Sequence, residues 1–265
     1  RLRTVTGVQT CALPIFVYAI APWVAYAVSA GLMVCGMAAF LTIKVPRAAH
    51  QQEANRERPT LRHAMEGLHF IRRTPILLAA ISLDLFAVLF GGAIALLPVI
   101  AEERLGVGDV AYGWLRASSG IGAAAMAVFL ASRPVTRKVG RTLLISVLVF
   151  GIHSVILGLT HSYWVAFVAV LVGSAADMVS VFIRGSLVPL VTPDEKRGRV
   201  TAVEGVFIGA SNELGAFESG AAASLVGVPA TVVGGGIATI GIVGFFWSRF
   251  PSLRRIDRFE ELSPE

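Results

Sequence analysis

Long apolar runs alternate with short polar breaks along almost the whole chain. Seven runs, at about 17–43, 76–101, 111–132, 142–160, 164–191, 199–227 and 229–249, stand out. A hydrocarbon core of about 30 Å is crossed by roughly 20 apolar residues of helix, and each run meets that length. The pattern predicts an all-α polytopic membrane bundle of about seven transmembrane helices. The turns that separate the last three runs are very short and centre on Pro193 and Pro229.

The breaks differ in charge, and the difference alternates. The 44–75 connection carries Lys44, Arg47, Arg56, Arg58, Arg62, Arg72 and Arg73, whereas 102–110 carries only Arg104. Arg133, Arg137, Lys138 and Arg141 then fill 133–141, and 160–163 has no Lys or Arg. The 192–199 turn holds Lys196, Arg197 and Arg199, 227–230 holds none, and the tail holds Arg249, Arg254, Arg255 and Arg258. Basic loops stay on the cytoplasmic side. The first run is therefore expected to enter from outside, and the C-terminus to end in the cytoplasm. Arg104 and Arg116 are expected to snorkel to the outer interface.

The 44–75 connection is the one long loop. It is polar up to Pro59, and then TLRHAMEGLHFIRR sets Leu61, Met65, Leu68, Phe70 and Ile71 mostly on one helical face. This predicts an amphipathic helix, either lying at the cytoplasmic interface or serving as a plain linker.

Composition supports the membrane reading. Hydrophobic residues make up 55% and charged residues 15% of the chain, against about 25% charged in soluble domains. The net charge of +6 reflects topology and not nucleic-acid binding, because no stacking aromatics are interleaved with the cations. Catalysis is not expected: five histidines are scattered without an HExxH pair, and no Ser sits in a GxSxG context. GGGIATIG, at 234–241, lies inside an apolar run with no strand before it, so it is no phosphate loop. No enzyme activity, cofactor or metal is expected.

The N-terminal stretch stands apart. Val5 to Ile15, VTGVQTCALPI, resembles residue for residue the translation of a common short-read sequencing adapter. Residues 1–15 are therefore expected to be a non-native scar and are left out of fold reasoning. Cys11 leaves with them, and the remaining Cys35 can form neither an internal disulfide nor a multi-thiolate metal site.

Three stretches together resemble the major facilitator superfamily: ISLDLFAVLFGGAIALLPV (81–99), ADMVSVFIRGSLVPLVTPDEKRGRV (176–200) and VEGVFIGASNELGAFESG (203–220). They are most similar to the enterobactin-exporter-like efflux permeases of bacteria. The resemblance implies twelve helices in two halves around a central pathway. On that template 16–44 matches the sixth helix and 45–75 the cytoplasmic linker with its amphipathic helix. The C-terminal six-helix half is then 76–249, and 250–265 is a cytoplasmic tail. The chain is thus expected to be a fragment that lacks its N-terminal half. The family's D-R-x-G-R/K cytoplasmic motif resembles Arg137-Lys138-Val139-Gly140-Arg141, except that Arg137 replaces the acid. Arg197, Gly198 and Arg199 repeat the basic Gly-Arg theme. Plain positive-inside anchoring would account for both equally well.

Six ionisable residues fall inside the apolar runs: Asp84, Asp177, Arg184, Glu204, Glu213 and Glu218. Each costs about 2.5–3.5 kcal/mol at bilayer depth, so such groups face a cavity or one another. At about 1.5 Å per residue, Asp84, Arg184 and Glu204 share a level roughly 8–12 Å from the cytoplasmic boundary. Asp177 and Glu213 lie nearer the midplane, and Glu218 nearer the outside. Asp177 and Arg184, seven residues apart, share a helix face. Arg184, the lone cation among acids, is expected to pair with Asp84 or Glu204 in a gating salt bridge or a static lock. Asp177 or Glu213 is the candidate proton carrier. The resemblance implies that Asp84, Asp177 and Arg184 line the pathway, and that Glu213 lies at the seam between halves.

The expected function is secondary active transport: proton-coupled efflux of a small organic solute, siderophore-like or drug-like, in the bacterial inner membrane. The expected partners are the lipid bilayer, the solute, protons and the missing N-terminal half; nucleic acid is not one. A non-transporting membrane scaffold or regulator on the same bundle is the alternative.

Overall fold

The computed structural model describes positions 27, 30–31, 33–39 and 61–262. The 1–15 stretch, and most of the run expected at 17–43, lie outside the described residues. The described positions between 27 and 39 are helical and exposed.

Every long element is a helix, and no strand occurs among the described residues. The helix α1 (Leu61–Arg73) ends one residue before α2 (Pro75–Phe90). The two meet at 107°. The cause is local: Pro75 disfavours helical geometry in the residue before it, and Thr74 is extended at φ −100° and ψ 100°.

The run expected as one span over 76–101 is broken. α2 stops at Phe90; a 3-10 turn (Gly92–Ile94), a short helix (Leu97–Val99) and a π-helical turn (Ile100–Arg104) follow. Gly91 and Gly92 explain the break. A Cβ on Gly92 would stand 2.5 Å from the Ser219 hydroxyl and 2.9 Å from the Gly215 carbonyl. The glycine pair gives up helix continuity so that a neighbouring helix can press against the end of α2.

Five helices complete the bundle: α3 (Asp109–Ser132), α4 (Val139–Leu159), α5 (Tyr163–Val191), α6 (Asp194–Val226) and α7 (Val228–Arg249). A short turn, Pro251–Arg255, opens the tail. α4 packs on α5 and α7, α3 packs on α5, and α2 packs on α6 and α7. Small residues allow these approaches, as membrane helices require. At the α4–α7 contact, a Cβ on Gly236 would sit 2.8 Å from the Gly151 carbonyl.

Of the expected spans, α3, α4, α5 and α7 are long and apolar enough to cross a membrane. The bent α1–α2 pair makes a fifth if taken as one. α6 has 33 residues, ample length, but is too polar to qualify on composition. The expected count of about seven thus becomes four or five among the described residues.

The buried core has two parts. The larger gathers Leu77, Leu83, Leu143, Leu144, Ile183 and Leu187 toward the basic ends of the helices. The smaller gathers Leu97, Ile100, Leu115, Leu157 and Val170 toward the other end. There Arg104 caps α4. Its Nε donates to the Thr160 carbonyl and its Nη2 to that of Leu159, each at 2.9 Å. A cation at a helix C-terminus complements the backbone dipole.

Candidate functional site

The site grows from one face of α5. Asp177, Ser180 and Arg184 follow at spacings of three and four, which places them on one side of the helix. Arg184 reaches two other helices. Its Nη2 lies 2.7 Å from Asp84 Oδ1 on α2, and its Nη1 lies 4.0 Å from Glu204 Oε1 on α6. Its Nε donates to the Ser180 hydroxyl at 3.5 Å. Asp84 and Arg184 are each only 5% exposed, and Glu204 is partly buried.

Elsewhere α5 touches α2 and α6 sparsely. The guanidinium therefore ties α5 to the α2–α6 pair where apolar packing is thin. Its planar fork suits the task, since separate nitrogens can serve separate carboxylates.

Beside this cluster is a small cavity of about 10 Å³, near the lower limit for one water. Asp84, Asp177, Ser146 and Ser180 supply its polar lining. Asp177 is partly buried and lies outside the Arg184 ion pairs, yet the charges of Asp84 and Arg184 both act on it. Four candidates from the sequence, Asp84, Asp177, Arg184 and Glu204, are thus brought together. Glu213 is not. It is exposed on α6, off the buried stripe of Val200, Val203, Ser211, Gly215 and Ser219, as is Glu218.

The basic loop residues have a different setting. Lys138 adopts φ 53° at the start of α4, and its backbone N–H donates to Asp257 Oδ1 at 3.1 Å. Arg137 Nε lies 3.9 Å from Asp257 Oδ2. The Gly140 N–H donates to the Ile256 carbonyl at 3.1 Å. A Cβ on Gly140 would run into the Leu253 carbonyl, so the glycine is what lets the tail dock. Arg137, which stands where the resembled motif has an acid, thus faces the Asp257 carboxylate of the tail. Arg141 is exposed. Arg197 pairs with Asp194 at 2.6 Å and also donates to the Pro189 carbonyl. Arg199 pairs with Glu66 of α1 at 2.6 Å, and Gly198 faces open space.

Sequence reasoning missed Ser146, Ser180, His153 and Asp257. Ser180 carried a signal, being four residues before Arg184. His153 was an ionisable group within an apolar run; it is 4% exposed and its Nδ1–H donates to the Phe150 carbonyl. Asp257 carried none, because the loop residues it joins, Arg137 and Lys138, are more than a hundred positions away. Among the described residues, no group of three His, Cys, Asp or Glu could hold a metal ion.

A family profile described as transmembrane secretion effector matches residues 10–263. That range covers every described helix and opens within the adapter-like stretch. No curated protein and no solved structure matches the chain.

Proposed function

Because the chain belongs to the transmembrane secretion effector family of the major facilitator superfamily, a family of membrane transporters, we propose that it works in proton-coupled efflux of a small organic solute. The observation that carries this reading is the buried Arg184, bridging α2, α5 and α6 beside a cavity shared by Asp84 and Asp177.

Asp177 is the proposed proton carrier, and Arg184 the switch. Its two carboxylate distances, 2.7 Å and 4.0 Å, describe one closed pair and one loose pair. A proton passed from Asp177 to Asp84 across the cavity they share neutralises the carboxylate that holds the guanidinium. Arg184 is then free to close on Glu204, and α5 shifts relative to α6. Such a bistable tie biases one access state against the other.

The proposed topology puts the basic connections and the C-terminus in the cytoplasm of a bacterial inner membrane. A second bundle completes the pathway, since alternating access needs two halves moving about a shared site. α6 is its proposed seat. Glu213, Asn212 and Glu218 are exposed there beside Leu214 and Phe217, a mixed surface poorly suited to lipid. The 1–15 stretch is proposed to be non-native, and this chain the C-terminal half of a longer protein.

Re-sequencing the locus should reveal five further apolar helices in frame upstream. Vesicles holding that longer protein should extrude a fluorescent organic solute under a pH gradient, and Asp177→Asn should abolish the coupling. Unchanged pH-driven efflux from the Asp177→Asn protein would remove Asp177 from the mechanism. Efflux by vesicles holding this chain alone would overturn the two-bundle reading.

A further inference from the structure

Because α1 turns through 107° into α2, it lies near the plane of the bilayer when α2 runs along the normal. Its last turn carries Arg72 and Arg73, immediately before Thr74 and the start of α2. Lys196 and Arg199 occupy the first turns of α6. Both helix ends are thus at the level where their helices enter the membrane. A cavity of about 600 Å³ lies between them, and all four cations line it.

The groove has one carboxylate, Glu66, which pairs with Arg199 at 2.6 Å. Lys196 Nζ stands 4.8 Å over the Phe70 ring, which holds its charge at the groove wall. Arg72 and Arg73 are exposed. Leu68 and Phe70 add apolar lining to the same space. Convergent cations with an apolar wall, placed at headgroup depth, match a phosphate that carries acyl chains.

We propose that this groove binds the headgroup of an anionic phospholipid. The cations hold the phosphate, and the apolar side chains receive the first part of the acyl chains. Basic pockets beside membrane helices bind acidic headgroups by this chemistry. A bound lipid then pins α1 to the entry of α6. The inference rests on the membrane assignment, not on proton coupling or on a second bundle.

The test uses the full chain in nonionic detergent micelles doped with phosphatidylglycerol or phosphatidylcholine, and thermal unfolding is followed. Phosphatidylglycerol should raise Tm by a few degrees over phosphatidylcholine, on the order expected for a ligand that binds only the folded state. The triple variant Arg72→Gln, Arg73→Gln, Lys196→Gln should lose that rise. The control Arg133→Gln, Arg249→Gln, Arg255→Gln, which removes as many exposed cations away from the groove lining, should keep it. A rise retained by the triple variant, or lost equally by the control, overturns the proposal. Inorganic phosphate giving the same rise identifies a free-anion site and overturns the lipid assignment. A second measurement needs no variant: a photoactivatable phosphatidylglycerol should label peptides from α1 and the start of α6. Labelling confined to other helices overturns the proposal.

Discussion

Two sets of ion pairs in this chain use the same chemistry in opposite surroundings. Asp84 and Arg184 meet at 2.7 Å with side chains 7% and 6% exposed. Glu66 and Arg199 meet at 2.6 Å with side chains 46% and 38% exposed. Distance alone would rank them as equals. Water makes the difference. The exposed pair trades one well-solvated state for another, so its net worth is small. In the buried pair, each charge has lost its hydration and depends on its partner. The buried cluster is thus intolerant of losing one member, whereas the exposed pair is forgiving.

The largest expected effect follows from that intolerance. Arg184→Gln should destabilise the chain by about 3–5 kcal/mol, read by thermal unfolding in detergent, because Asp84 is left buried without a cation. Replacing both partners sharpens the comparison. Asp84→Leu with Arg184→Met should recover much of the lost stability, since the deeply buried Asp84 charge is gone and Glu204, its side chain 13% exposed, loses only the looser pair. If the double variant is as unstable as the single one, the cluster's importance lies in packing and not in desolvated charge.

A smaller effect is expected where the tail docks on the α3–α4 loop. Gly140→Ala should cost about 1–3 kcal/mol, because the added Cβ meets the Leu253 carbonyl and must displace it. Limited trypsin digestion should then cut faster at Arg254 and Arg255; unchanged cleavage would mean that the tail does not rely on this contact. Asp257→Ala should cost about 1 kcal/mol, through loss of its bond to the Lys138 N–H and its pairing with Arg137.

The smallest change is expected at the exposed pair. Arg199→Gln should shift stability by about 0.2–1 kcal/mol, and high salt should erase part of the difference. A loss as large as that of Arg184→Gln would end the distinction between the two regions.

Much of the helical pattern was legible because lipid imposes a simple rule. A span must bury its backbone polar groups in its own hydrogen bonds and be apolar over its length. Five of the predicted runs accordingly match helices α3 to α7 within a few residues. The break at Gly91 was not legible, because it depends on how closely α6 approaches α2. α6 has the length of a span, yet its polar residues leave that length short of the apolarity that α3, α4, α5 and α7 show.

The candidate site divides in the same way. That Arg184 needed a carboxylate followed from the cost of an unpaired cation at depth. Spacing along α5 placed Asp177, Ser180 and Arg184 on one face. Which carboxylates would answer depended on the packing of α2 and α6 against α5, and the cavity between Asp84 and Asp177 exists only once those helices have met. Glu213 shares its depth with Asp177, but depth says nothing of azimuth, and Glu213 is exposed.

The amino-acid order by itself determined the all-helical membrane character, the alternation of basic and neutral connections, and the need for Arg184 to find a partner. These follow from hydration: hydrocarbon rejects bare peptide groups and lone charges wherever they occur in the chain. Only the tertiary structure decided that Asp84 holds the closer pair and Glu204 the looser one. It also decided that Asp257 of the tail meets Arg137 and Lys138, and that four cations from α1 and α6 surround one groove. Those arrangements join residues tens to more than a hundred positions apart, and their geometry is set by helix packing, which local pattern does not encode.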